Sequence, residues 1–309
     1  MKNLILLGCM IATSTLVALA QDTSTNAAPT PTKPDAQPVE KDIPVDPHRP
    51  VNPKLPTLFI IGDSTVENSN AGHVGWGMVL PDYFDLTKIN VINHAIGGRS
   101  SRSFQEEGRW DKVLAEVKPG DYVIMQFGHN DGGSPTDPKR GDRAALKGVG
   151  DDTVQATNPK TGVMDTVHSY GWYMRKYATD AEAKKVTPII CSLIPRKIWG
   201  PDGKINRGAG DYGGWARQSA QATGAIFVDL NEITAERYDA MGKDKVNTLF
   251  IDEHTHTNAE GADINAQSIV AGLKGIPDCP LVPYLSAKAA AIAPYHDPGA
   301  PAPAPTLTK

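Results

Sequence analysis

The chain has 309 residues, with 31 Lys and Arg set against 35 Asp and Glu. A balance this mild excludes the basic surface by which a protein holds nucleic acid or an anionic membrane.

Its first twenty residues read as a secretory leader. Lys2 gives the positive start, Leu4 to Leu19 is mostly apolar, and Ala18-Leu19-Ala20 supplies a small-x-small cleavage pattern. The apolar run falls short of the ~20 residues a spanning helix needs, and Thr13, Ser14 and Thr15 interrupt it. Cys9 sits too early for a lipoprotein acceptor, because almost no apolar region precedes it. Cleavage removes Lys2 and leaves about 5 net negative charges on an exported, periplasmic or secreted, mature form. Residues 21–56 are rich in Pro and Thr and too polar to offset the entropy of ordering, so they read as a linker. An Ala/Pro-rich tail is expected over 285–309. The interval 57–284 suits one α/β domain.

Within that interval, short apolar runs alternate with helical patterns. Strands are expected at Thr57 to Ile61, Ile89 to Ile92, Tyr122 to Phe127, Pro188 to Leu193 and Ala225 to Leu230. These runs are continuous rather than alternating, as strands buried on both faces should be. Helices are expected at Trp110 to Val117, Tyr170 to Lys185, Trp215 to Ala222, Glu232 to Met241 and Glu260 to Leu273, the last capped by Asn258. The alternation predicts a parallel sheet covered by helices on both sides. Ligands of such sheets bind beyond the carboxyl ends of the strands. Three strands end there in loops of glycine and polar residues, at 62–65, 97–101 and 128–131.

Those loops hold the candidate chemistry. Ser64 in Gly62-Asp63-Ser64-Thr65 is placed to be a nucleophile at the sheet edge, although Asp and Ser also favour ordinary turns. Gly97-Gly98 allows close approach of the backbone to a ligand. Asn130, in Gly128-His129-Asn130-Asp131, offers an amide that can face a developing oxyanion. The run Asp252-Glu253-His254-Thr255-His256-Thr257 supplies a histidine with a carboxylate close before it, the pairing that fixes an imidazole for proton transfer. Two histidines two apart could instead hold a metal. Cys191 and Cys279, left after the leader, could pair in an oxidising compartment or remain buried thiols. Neither H-E-x-x-H nor G-x-S-x-G occurs.

In this order the blocks resemble those of the SGNH (GDSL-like) hydrolases. The stretches Asn93 to Phe104, Glu107-Gly108-Arg109-Trp110, Phe127 to Gly133 and His254 to Asn258 are similar to the rhamnogalacturonan acetylesterase branch, a likeness that covers roughly residues 57–275. The resemblance implies a three-layer α/β/α, flavodoxin-like fold with a five-stranded parallel sheet. It implies Ser64 as nucleophile, His256 as general base and acid, and an oxyanion hole from the N–H groups of Ser64 and Gly98 with the Asn130 side chain. The aspartate of the family lies three residues before the histidine, where this chain has Glu253; Asp252, four before, is the alternative acid. No cofactor or metal is implied. The expected partner is an acetylated polysaccharide or oligosaccharide, with no nucleic acid and, after leader removal, no membrane. The long polar stretch from Gly132 to Val167 is expected to border the cleft. Arg99, Arg102, Trp172, Arg196 and Trp199 are candidates for sugar or uronate contacts. A lipase, lysophospholipase or thioesterase on the same scaffold, and a carbohydrate-binding module without activity, are the rival readings.

Overall fold

The computed structural model describes residues 51–207 and 211–296. The expected leader, most of the linker and the end of the tail lie outside the described residues. In chain order the elements are β1 (Thr57–Gly62), α1 (Trp76–Val79), β2 (Asn90–Asn93), α2 (Ser101–Glu106), α3 (Arg109–Glu116) and β3 (Tyr122–Gln126). An antiparallel hairpin follows, β4 (Thr153–Thr157) and β5 (Met164–His168), then α4 (Tyr170–Ala183), β6 (Thr187–Cys191), α5 (Tyr212–Thr223) and β7 (Ile226–Val228). The last elements are α6 (Leu230–Met241), α7 (Lys243–Asn247), α8 (Ala259–Gly275) and α9 (Ala287–Ala290).

Five strands form one parallel sheet in the order β2-β1-β3-β6-β7. Successive strand residues point to opposite faces, and both faces are covered. Leu58, Ile60, Ile124 and Ile189 join Trp76 of α1 and Ile269, Val270 and Leu273 of α8 on one side. Phe59, Ile61, Val123, Met125 and Ile190 join Trp110 of α3, Met174 and Tyr177 of α4 and Ala216 of α5 on the other. This double burial is why the strands read as unbroken apolar runs, and it makes three layers. β7 is shorter than its apolar run because Asp229 starts a helix, its Oδ1 accepting from the Glu232 N–H at 3.3 Å. Asn258 caps α8 as expected, accepting from the Gly261 N–H at 3.0 Å. Among the described residues no helix is long and apolar enough to cross a membrane.

The chain begins in β1, steps to β2 on one side, then crosses to β3 on the other. That reversal places the loops after β1, β2 and β3 together at the carboxyl edge, where open α/β sheets bind ligands. One polar residue ties this edge together. Gln126, fully buried at the end of β3, accepts from the Trp76 indole N–H at 2.9 Å and from the Ile194 N–H at 3.3 Å. Its amide nitrogen donates to Thr65 Oγ1 at 2.6 Å. Leaving a buried amide unpaired would cost about 1–3 kcal/mol, so these partners lock the turn after β1 onto β3.

Two expectations are corrected, and one alternative is resolved. The Gly132 to Val167 stretch is not one bare loop, since its second half folds into the β4–β5 hairpin. Residues 285–296 are not a free tail. Leu285 bridges to Phe84, Ala289 and Ile292 are buried, and the Tyr295 N–H donates to Ala271 O at 2.9 Å. Cys191 and Cys279 are both buried as free thiols in the core beneath the sheet.

Candidate active site

The site begins with a backbone that has no room for a side chain. A Cβ on Gly62 would lie 2.5 Å from Val66 Cγ2 and 2.7 Å from Gln126 O. The strand can therefore turn at once, and Ser64 emerges half-buried at the sheet edge. Asp63 stabilises the turn from beneath, its Oδ1 accepting from the Thr65 N–H at 2.9 Å and the Thr65 hydroxyl at 2.7 Å.

His256 comes from the far end of the domain. Its Nε2 lies 2.8 Å from Ser64 Oγ and its Nδ1 2.5 Å from Asp252 Oδ2. Asp252 Oδ1 also accepts the N–H groups of His254, Thr255 and His256, at 3.1, 2.7 and 2.8 Å. Desolvation acts to raise this carboxyl. The N–H groups of His256 and Thr255 and the imidazole outweigh it and bring it down to about 2. An ionised carboxylate can only accept, so Nδ1 carries the proton and Nε2 is left to accept from Ser64. The residue three before the histidine does not fill this place. Glu253 is exposed, and it is Asp252 whose carboxylate meets the ring. The reason is local: Asp252 folds back over the three following N–H groups in an Asx-type turn, which brings residue 256 rather than 255 beneath its second oxygen.

Several bonds fix the loop that carries His256. Phe250 and Thr257 form an antiparallel bridge. Val74 and Thr257 exchange bonds, Val74 N–H to Thr257 O and Thr257 Oγ1 to Val74 O, each at 2.9 Å. His254 serves here by its backbone, accepting from the Lys197 N–H at 2.8 Å. Both ring nitrogens of His256 are spent on Asp252 and Ser64. Among the described residues no group of three or more His, Cys, Asp or Glu gathers where it could hold a metal.

The loops after β2 and β3 carry the expected oxyanion donors. Gly98 has φ +79°, the left-handed conformation that favours glycine. A Cβ on neighbouring Gly97 would lie 3.5 Å from Ser64 Cβ. The N–H groups of Ser64 and Gly98 have no partner among the described residues. Asn130 Nδ2 donates one proton to Arg99 O at 3.1 Å and keeps a second. Asn130 is held by its neighbour, because buried Asp131 accepts from the Ser101 N–H at 3.0 Å and from the Ser101 hydroxyl. Burial pushes Asp131 up to about 7 and Asp63 up to about 6, and desolvation brings buried His129 down to about 3. Beneath the reacting atoms the site is thus low in charge between about pH 3 and 6.

The five expected sugar contacts separate. Arg99 is half-buried, with Nε on Glu107 at 3.0 Å and Nη1 on Gly97 O at 3.0 Å. Arg102 cannot touch a substrate. It is fully buried, bonded to Glu106, Asp165 and the carbonyls of Gly141 and Ala144. Trp172 stacks on His168 with ring centroids 3.7 Å apart. Trp199 packs against the small cluster of Ile205, Tyr238 and Phe250. Arg196 reaches the edge of the site, its Nη2 3.5 Å from His129 O. Sequence reasoning missed Gln126 and Arg143. Gln126 stood out as the one polar residue of a buried strand, whereas Arg143 lies in a polar stretch where nothing distinguishes it.

Residues 60–264 match the model of the GDSL-like lipase/acylhydrolase family. The chain is 35% identical to a rhamnogalacturonan acetylesterase of Emericella nidulans, over 69% of this chain and 83% of that protein. It is 31% identical to the probable rhamnogalacturonan acetylesterase YesY of Bacillus subtilis, over 71% of this chain and 94% of that one. Among solved structures it resembles protein YxiM of Bacillus subtilis, with a TM-score of 0.58 at 26% identity over 71% of this chain. The chain spans 56% of the YxiM structure's length.

Proposed function

We propose that this chain, which belongs to the GDSL-like lipase/acylhydrolase family, is a serine esterase that removes O-acetyl groups from a plant cell-wall polysaccharide, most closely a pectic rhamnogalacturonan. The observation that carries the chemistry is the line Ser64 Oγ–His256 Nε2–His256 Nδ1–Asp252, at 2.8 and 2.5 Å. The substrate class rests on a rhamnogalacturonan acetylesterase and a probable rhamnogalacturonan acetylesterase that match most of the chain.

Ser64 Oγ attacks the acetyl carbonyl carbon as its proton passes to His256 Nε2. The carbonyl oxygen becomes an oxyanion facing the N–H groups of Ser64 and Gly98 and the spare proton of Asn130; each such donor is worth about 2.7–4 kcal/mol in the transition state. Collapse expels the sugar oxygen, which takes the proton from His256. Water then gives a proton to Nε2 and attacks the acetyl-serine; collapse breaks the bond from the acyl carbon to Oγ, Ser64 Oγ takes the proton back from His256, and acetic acid leaves, ionising to acetate. Asp252 keeps the ring in the tautomer that accepts from serine and stabilises the imidazolium. The reading includes export, supported by the leader pattern of residues 1–20.

The test is acetate release from acetylated pectins, xylans and short-chain lipids. Ser64→Ala should lower release from pectin by on the order of 10⁴-fold or more, with an unchanged thermal midpoint. Near-wild-type release by that variant would remove Ser64 from the reaction. A wild-type preference for lipid esters would remove the polysaccharide.

A further inference from the structure

The two side-loop donors of the oxyanion site come from different segments, Gly98 after β2 and Asn130 after β3. A third segment touches both. Arg143 Nη1 lies 3.3 Å from Gly98 O and 3.5 Å from Asn130 Oδ1. The Asn130 amide is thereby held at both ends, its nitrogen on Arg99 O and its oxygen on a guanidinium. Its remaining N–H has one direction left to point.

The Arg143 side chain stands on an immobilised turn. Arg102 Nη1 donates to Gly141 O at 2.8 Å and to Ala144 O at 3.0 Å, the two carbonyls that bracket residues 142 and 143. The Gly141 N–H donates to Asp137 O at 2.7 Å, and the Ala145 N–H to Asp131 O at 3.0 Å. The buried charge of Arg102, held by Glu106 and Asp165, thus serves to aim a second arginine at the site. The charge of Arg143 itself is only loosely balanced. Its Nε is buried without a hydrogen-bond partner, and its ion-pair partner Asp142 is 3.9 Å away and in closer contact with Lys160.

We infer that Arg143 is a positioning residue for the oxyanion site, fixing the Gly98 and Asn130 donors relative to each other and adding positive charge beside them. The inference rests on the proposed role of Ser64. Its effect falls on the transition state, because the oxyanion exists only there and in both halves of the reaction. Contacts of 3.3–3.5 Å are those of the free enzyme and are of the kind that tighten when charge develops.

The experiment uses 4-nitrophenyl acetate, which has no sugar to bind. Arg143→Met keeps the apolar stem and removes the charge and donors. Because Arg102 and backbone bonds hold the turn, this variant should keep the wild-type thermal midpoint. Its kcat should fall about tenfold, less than the loss of a direct donor, with KM within twofold. Arg143→Lys, which restores a charged donor, should recover most of that loss. A kcat within threefold of wild type in Arg143→Met, a loss confined to KM, or no recovery in Arg143→Lys would each overturn the inference. If Ser64→Ala retained activity on the same ester, the underlying assignment would fail instead, and the two failures are distinct.

Discussion

The turn after β1 and the loop at 252–257 each place an aspartate beside the reacting pair, and the two are shifted in opposite directions. Asp63 is sealed beneath the serine; one oxygen takes both bonds from Thr65 and the other has no partner, so burial pushes it up to about 6. Asp252 is partly exposed and accepts from three N–H groups and an imidazole, which bring it down to about 2. The difference shows depth and donors acting together: full burial raises Asp63 despite its two bonds from Thr65, while three N–H groups and an imidazole lower the shallower Asp252. It also divides the labour of the site. The buried turn shapes the backbone around Ser64, and the exposed loop supplies the charge that His256 needs.

The largest effect that could break this division lies in the late loop. Asp252→Asn presents an amide N–H to His256 Nδ1 and favours the wrong tautomer, so kcat should fall by about 10³–10⁴-fold. Glu253→Gln should leave kcat within about twofold, because that side chain is exposed. Steady-state kinetics on an acetylated pectin would settle the choice, and the reverse ranking would return the role to Glu253. Next comes the strand-end side of the comparison. Asn130→Ala should cost about 10²–10³-fold in kcat; a change in KM alone would make Asn130 a substrate contact rather than an oxyanion donor.

The smallest effect is on stability. Asp63 and Asp131 hold their protons more tightly in the fold than in the unfolded chain, where an aspartate titrates near ~3.9. Between about pH 4 and 7 the native state therefore binds more protons, and stability from these groups falls as pH rises. Buried His129 acts in the opposite direction below its unfolded value of ~6.5, so the variant must be compared with wild type at each pH. Asp131→Asn, which keeps an acceptor for Ser101, should gain on the order of 2 kcal/mol relative to wild type on going from pH 5 to pH 8. Urea midpoints that shift in parallel for both proteins would show that Asp131 is ionised in the fold at pH 5.

Much of this was readable beforehand, for definite reasons. The five sheet strands are buried on both faces, and their apolar runs are unbroken, so Thr57 to Ile61 and Tyr122 to Phe127 announced themselves. The hairpin at 153–168 did not, because its alternation of exposed with half-buried or buried residues is short and most of those residues are polar. The pairing of Ser64 with His256 was legible because each sits in a short block, one at a strand end and the other just before a helix cap. The acid was not, because a spacing of three or four residues is decided by backbone turning at Asp252 and not by composition. Arg102 misled for the opposite reason. An arginine in a polar block suggests a surface contact, and only the fold reveals that Glu106, Asp165 and two carbonyls enclose it.

The bond between Ser64 and His256 joins positions 192 residues apart. The histidine that meets Ser64 thus comes from the late part of the chain. The loop bearing His256 is seated through Val74 and Thr257, and α8 just behind it packs on α1, so the reacting pair forms only when the last large helix docks on the first. Closing so long a span is entropically slow. During synthesis the enzyme would therefore remain inert until α8 is delivered, and regained ester cleavage during refolding would time the docking of α8.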